Sequence, residues 1–347
     1  MFKGFYRPKS NFYRLPNDWF DIWIDLRESA GRRRIFAPLK VIEYIIKWTW
    51  GYLNFDRPVR ISRRTFQYGR RVGDGQKRLD RGTNLSSRGL EGALSFLIDE
   101  GLIEERLVET GNESPFGGPA FLPRLRPEDE DGDEEGDGEG FLRKALEHQP
   151  NAAYPGFERP ASNYFKVPAI WTDLTHDVTS EAVILTTEYF FRHTWGWHGD
   201  GETEKPRWLD VDDVCYGRRY RSEMRRGERY DRGIGYSERS VRDALNEGVA
   251  RGWLVWREKA NYQGHEYALH LDGMVVAEDG RWIDPDPQTE DELGLLLGHP
   301  PDTKTPPVAK AEAEPGKAEE QALEESEAST SPVNALATEN QADESTD

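Results

Sequence analysis

The chain of 347 residues contains one cysteine, Cys215, and three methionines. A single thiol excludes an intramolecular disulfide and any CxxC zinc or redox site. Long apolar runs are also missing. The most apolar stretch, Val41 to Leu53, is short and interrupted by Glu43 and Lys47, and the first sixteen residues hold no apolar stretch of the kind a secretion signal needs. These absences predict a soluble, cytoplasmic protein with no membrane partner. Basic residues are in the minority, 46 against 64 acidic, for a formal charge of −18 and a pI near 5.0. Averaged over the whole chain, that charge argues against a polyanionic partner. Hydrophobic residues make up only 36% while 32% are charged, so part of the chain is expected to build no core. Eleven Trp and fifteen Phe require a core elsewhere.

Catalytic constellations are missing as well. The sequence has no HExxH, P-loop or nucleophile elbow. His193, His198 and Asp200 lie close in sequence, as do Asp210, Asp212 and Asp213, without metal-ligand spacing. His265 and His270, five residues apart, would project to opposite faces of a strand. No enzyme activity, cofactor or metal is expected.

What is present is unevenly distributed. Residues 127–140 carry nine acidic side chains and no basic one, and residues 272–347 carry twenty acidic side chains against Arg281, Lys304, Lys310 and Lys317. Without these two segments the remainder carries +7. Both segments are rich in Gly, Pro, Ala and Ser and poor in aromatics, a composition that predicts disorder. Within the tail, Leu293 and Leu295–Leu297 form an apolar island suited to anchoring a short helix on a partner.

The remainder is a repeat. Asn11–Pro16 followed by Trp19 matches Asn163–Pro168 followed by Trp171. Thr49-Trp50-Gly51 matches Thr194-Trp195-Gly196, Tyr68-Gly69-Arg70-Arg71 matches Tyr216-Gly217-Arg218-Arg219, and Asp80-Arg81-Gly82 matches Asp231-Arg232-Gly233. The offsets are 152, 145, 148 and 151, as for a duplicated domain with small loop changes.

Each copy has the same expected elements. An apolar helix runs from Pro38 to Trp50, or from Ser180 to Trp195. A short helix is capped by Ser62, or by Asp210. A third helix is capped by Ser86, with Leu90, Ala93, Leu94, Leu97 and Ile98 on one stripe, or by Ser237, with Val241, Ala244, Leu245 and Val249. Strands follow at Leu102–Arg106 and Trp253–Arg257, with a return strand at Glu266–His270. Trp50 and Trp195 are expected in the core, with Tyr52 and Trp197 less constrained. Three helices followed by a hairpin constitute a winged helix-turn-helix.

The expected fold class is therefore mainly α with small β-hairpin wings (α+β): two tandem winged helix-turn-helix domains with a disordered acidic linker and tail. The boundaries are an N-terminal arm at 1–10, domains at 11–126 and 163–271, a flexible linker at 127–162 and the tail at 272–347. The helix ending in Thr-Trp-Gly and the final helix running into Gly-Leu-Ile resemble the N-terminal winged-helix domain of phage replication protein O. The plan is also similar to plasmid replication initiators that carry two winged helices. One departure is the long segment between the second and third helices, 72–80 or 220–231, where a helix-turn-helix has a turn of about three or four residues.

In a winged helix-turn-helix the third helix reads base edges in the major groove. Its exposed face offers Ser87, Arg88, Glu91 and Ser95 in the first copy, and Glu238, Arg239, Arg242 and Asn246 in the second. Arg suits guanine and Asn adenine, which favours the second copy for base reading. Phosphate contacts are expected from Arg63, Arg64, Arg70, Arg71, Lys77, Arg78 and Arg81, and from Arg218, Arg219, Arg221, Arg225, Arg226, Arg229 and Arg232.

Double-stranded DNA is thus the expected partner, bound at two non-identical half-sites or an asymmetric origin, with a spacing the linker lets vary. The resemblance implies replication initiation of a plasmid, phage or mobile element, a nucleoid-associated location, and a replicative helicase or its loader as a partner reached through the acidic tail. A transcriptional regulator and a non-catalytic protein-interaction scaffold are the alternatives. The acidic segments would compete with DNA for the basic faces.

Overall fold

The computed structural model describes residues 2–29, 35–53, 55–72, 77–107, 119–126, 154–160, 163–196, 206–220, 225, 227–259 and 264–284. The linker residues 127–153, the tail from 285 with its apolar island, and Arg221 and Arg226 fall outside the described residues. The architecture is mixed α+β, with eight α-helices and small antiparallel sheets among the described residues.

The first repeat begins with strand β1 (Phe12–Pro16) and helix α1 (Trp19–Ser29), then the central helix α2 (Phe36–Trp48). A 3-10 turn at Trp50–Tyr52 follows. Strand β2 (Val59–Arg60) leads to α3 (Arg63–Tyr68), the hairpin β3 (Arg71–Val72) and β4 (Lys77–Arg78), then α4 (Ser87–Asp99), β5 (Ile103–Leu107) and β6 (Pro119–Pro123). The second repeat runs through β7 (Tyr164–Pro168), α5 (Trp171–Leu174), α6 (Glu181–Trp195), α7 (Val211–Tyr216), α8 (Glu238–Ala250), β8 (Leu254–Glu258) and β9 (His265–Leu269).

Local sequence accounts for most helix starts. The Ser62, Ser86 and Ser237 hydroxyls accept from Thr65, Gly89 and Ser240 N–H, and Asp210 forms a reciprocal capping box with Asp213. In α4 the stripe Leu90, Ala93 and Leu97 is buried, and Val241, Ala244 and Leu245 repeat this in α8. Ile98, placed on the buried stripe from sequence, is 37% exposed. It lies at the edge of that stripe, in the last turn of α4. Helices α2 and α6 are buried on nearly every side; α2 is accordingly apolar apart from Lys40, Glu43 and Lys47, while α6 also buries Thr186, Thr187, Glu188, Arg192, His193 and Thr194.

The repeats are fused rather than strung on a linker. Strand β1 pairs antiparallel with β7, with Phe12 opposite Pro168, Arg14 opposite Lys166 and Pro16 opposite Tyr164. At the 152-residue offset Lys166 is the counterpart of Arg14, so the pairing is symmetric about that position and the repeats meet as an isologous pair. One continuous hydrophobic core includes Tyr13, Trp19 and Ile42 from the first repeat and Phe165, Trp171 and Tyr189 from the second. Register and core together contradict the expectation of two modules at variable spacing.

The central helices carry charge into this seam. Lys40, Glu43 and Lys47 share one face of α2 and are buried. The Lys40 ammonium donates to the carbonyls of Thr175 and His176, both at 2.9 Å, and Lys47 donates to Thr172 Oγ1 at 2.7 Å. Burial draws the Lys40 amine down to about 8. Glu188 of α6, the counterpart of Glu43 at the offset of 145, accepts from the indoles of Trp19 and Trp171, both at 2.9 Å. Burial raises both carboxyls, Glu188 to about 7 and Glu43 well above the usual carboxylate range, where the charge of Glu188 adds to the effect. With both indole protons committed to Glu188, the arrangement favours Glu188 as the anion and Glu43 as the proton carrier.

Three segments outside the expected domain boundaries are packed into this body. Phe5 is buried and exchanges backbone hydrogen bonds with His270 and Asp272. Phe157 is buried and bonded to Arg124 and Arg126. Trp282 packs on Trp208, and its N–H donates to the Trp256 carbonyl at 2.8 Å. Aromatic anchoring at Phe5, Phe157 and Trp282 outweighs the polar composition around each.

Candidate nucleic-acid interface

In both repeats the long segment between the second and third helices is a hairpin. In the first, Arg71 pairs with Arg78 and Val72 with Lys77. In the second, Arg219 bridges Arg229, with backbone bonds between Tyr220 and Glu228 and between Tyr230 and Arg218.

A buried aspartate pins each hairpin at its base. Asp80 Oδ1 accepts from the Tyr44 hydroxyl at 2.9 Å and from the Gly82 N–H at 2.9 Å. Asp231 Oδ1 accepts from the Tyr189 hydroxyl at 2.7 Å and from the Gly233 N–H at 2.9 Å. Gly69 and Gly217 adopt positive φ, and a β-carbon on either would collide with the carbonyl of its aspartate. This explains why Tyr-Gly-Arg-Arg and Asp-Arg-Gly recur together. Burial acts to raise the Asp231 carboxyl, but His193, Arg192 and the Tyr189 hydroxyl overcome it and bring the group down to about 2. His193 is held neutral by burial, at about 4. It is a packing partner of Asp231 in the described structure.

All eight side chains expected to read bases are exposed: Ser87, Arg88, Glu91 and Ser95 on α4, and Glu238, Arg239, Arg242 and Asn246 on α8. The cations around them differ between repeats. Beside α4, Arg64, Lys77, Arg78, Arg81 and Arg88 are exposed, and their side chains form no ion pair among the described residues. Arg63 pairs with Glu91 at 3.4 Å, both highly exposed, a contact of little strength. Arg70 is half-buried with its guanidinium 4.0 Å from the Trp48 ring centroid, and Arg71 is exposed on the hairpin.

Beside α8 the corresponding arginines are mostly engaged. Arg219 and Arg229 share Asp212 at 3.4 and 2.8 Å, and Arg229 also bonds the Gly217 carbonyl. Arg232 is held by Asp25 at 2.6 Å, with Glu28 at 3.7 Å and Asp21 at 4.0 Å. Arg242 pairs with Glu238 at 3.4 Å. Arg218 and Arg225 are half-buried, Arg225 lying 5.1 Å from the Tyr220 ring. Of the phosphate contacts expected from sequence, the Arg64, Lys77, Arg78 and Arg81 side chains of the first repeat form no ion pair among the described residues, whereas Arg219, Arg229 and Arg232 of the second are paired with carboxylates of the protein itself. The acidic row Asp21, Asp25 and Glu28 is visible in the sequence along one face of α1, but that it is Arg232 of the other repeat it meets is set by the fold.

Trp50 is fully buried against Phe157, while Tyr52 is 61% exposed and stacks on Trp48. Trp195 stacks on Phe191, and Trp197 lies outside the described residues. His265 packs on Trp256, and His270 bonds the Gly252 carbonyl at 2.8 Å. No cluster of metal-ligating side chains occurs among the described residues, and no helix there is long and apolar enough to cross a membrane. Comparison of the chain with protein-family models, curated proteins and solved structures finds no match.

Proposed function

We propose that the protein binds double-stranded DNA as a covalent pair of winged helix-turn-helix modules related by a pseudo-twofold axis. The observation that carries this reading is the set of exposed cations Arg64, Lys77, Arg78, Arg81 and Arg88, carried on α3, the β3–β4 hairpin, the loop beyond it and the start of α4, whose side chains form no salt bridge among the described residues. Such a group supplies the phosphate contacts that set affinity, while the exposed residues of α4 and α8 supply base contacts. The first repeat grips the backbone. The second, with Arg239, Arg242 and Asn246 exposed on α8, contributes base discrimination.

The symmetric β1–β7 register supports an inverted arrangement of the two recognition helices, and hence an imperfect inverted repeat as target, with half-sites that differ because α4 and α8 differ in sequence. Replication initiation is the biological role proposed, on the resemblance to phage and plasmid replication proteins. A cognate site inside a minimal replicon, and co-recovery of a replicative helicase or its loader, would test that role. Salt dependence tests the DNA reading itself. Duplex affinity should fall steeply between about 50 and 200 mM salt, and a shallow dependence would contradict phosphate binding.

A further inference from the structure

Resting on the DNA reading above, we propose that the first helix of each repeat is a positioning element for the recognition helix of the other, and that Arg232 serves this clamp instead of contacting phosphate. Helix α1 of the first repeat reaches the loop that enters α8 of the second. Asp25, Glu28 and Asp21 surround the Arg232 guanidinium, so three carboxylates stand where a phosphate would. Two residues further along the chain from α1's Asp25, Arg27 donates to the Gly235 carbonyl and stacks its guanidinium 3.9 Å from the Tyr236 ring centroid. Gly235 and Tyr236 immediately precede Ser237, the residue that caps α8. The loop is therefore gripped at Arg232, Gly235 and Tyr236, directly before the helix begins.

The reciprocal contact exists. Asp173 of α5 is the counterpart of Asp21 at the offset of 152, and its Oδ1 accepts from the Arg81 backbone N–H at 2.8 Å. The His176 ring bonds the Gly82 carbonyl at 3.1 Å, just ahead of the Ser86 cap of α4. Each repeat thus holds the other's Asp-Arg-Gly loop. The grip on the second repeat is the more extensive, with three carboxylates on Arg232 and Arg27 on Gly235 and Tyr236, against the two hydrogen bonds from Asp173 and His176 on the first. The tilt and register of α8 are then set by a helix that belongs to the opposite half of the molecule.

The full-length protein, a duplex selected from random sequence and a scrambled duplex of equal length test this. Arg78→Ala should lower the slope of log affinity against log salt by about 0.9, as for one lost phosphate contact. Arg232→Ala should leave that slope unchanged and reduce the ratio of specific to scrambled affinity about tenfold, the size of one misread base pair. Asp25→Arg should reduce the ratio likewise, and adding Arg232→Asp to it should restore the ratio. Amide exchange at Ile234–Glu238 should speed up in Arg232→Ala without DNA present. If Arg232→Ala lowers the salt slope as Arg78→Ala does, Arg232 is a phosphate ligand and the proposal is overturned. Unchanged discrimination with unchanged exchange overturns it too. A wild-type protein that binds neither duplex overturns the DNA reading separately, and the exchange measurement then decides whether the clamp holds the loop.

Discussion

Arg14 on β1 lies directly opposite Lys166 on β7, and the two are the same position in their respective repeats. An antiparallel pair of strands that matches each residue to the symmetry-related one is the arrangement of an isologous dimer interface, here made within one chain. The buried charges beside it extend the relationship, since Glu43 and Glu188 are also counterparts and occupy the seam together.

The carboxyl pair makes stability depend on pH in a defined direction. Burial raises both groups above their unfolded values, so the folded state holds protons that the unfolded chain releases. Stability is fully present below about pH 4.5 and declines as pH rises through about 7. Glu43→Gln keeps a neutral donor facing Glu188 and removes one titration. Urea unfolding at pH 5, 7 and 9 should show wild type losing stability steadily and Glu43→Gln losing less, and parallel profiles would rule the dyad out as the source.

Truncating Glu188 should be far more damaging than neutralising Glu43. In Glu188→Ala the indole N–H groups of Trp19 and Trp171 lose their acceptor inside the core and a cavity opens. The expected cost is about 3 to 5 kcal/mol, read from the shift in urea midpoint. A loss under about 1 kcal/mol would mean the seam can rearrange.

The hairpin anchors yield a separate expectation. Asp231 sits near 2 in the folded protein, so its contribution is present above its unfolded value near 3.8 and is lost as pH falls through about 2. Asp231→Ala strands the Tyr189 hydroxyl and the Gly233 N–H and should cost about 2 to 4 kcal/mol at neutral pH. Gly217→Ala should be comparably destabilising because its β-carbon meets the Asp231 carbonyl at a positive φ. Near-wild-type unfolding curves for both would show that the hairpin base is not pinned.

Lys40 separates polar satisfaction from packing. Lys40→Met fills the same volume but leaves the Thr175 and His176 carbonyls without their donor, so a loss of about 1 to 3 kcal/mol is expected. An unchanged or raised melting temperature would show those carbonyls to be hydrated or re-paired.

Much of each repeat was legible in the sequence. Ser62, Asp210, Ser86 and Ser237 cap the helices they were expected to cap, because a side-chain oxygen at that position acts through neighbours only three residues away. The exposed residues of α4 and α8 followed from the same periodicity. The association of the repeats was not legible. The segment Asn11–Pro16 was visible as a recurring block, but its partner lies 152 residues away and local pattern carries no pairing information. Glu43 and Lys47 were visible as interruptions of an apolar run, while the partners that make them tolerable, Glu188 and Thr172, come from the other repeat. Masking of Arg232 by α1 was hidden for the same reason. Whether an arginine is available to a phosphate depends on which carboxylate the fold brings to it.

Spacing is the property on which two tethered modules and one rigid pair differ most. Once a bound duplex is selected from random sequence, one to ten base pairs are inserted between its half-sites and affinity is measured by gel shift at constant salt. The fused β1–β7 seam predicts an inverted pair of half-sites at a single tolerated spacing, with affinity falling to that of one half-site at every other length. Affinity that stays level across the insertions would contradict the rigid pseudo-twofold pair and return the molecule to two modules on a tether.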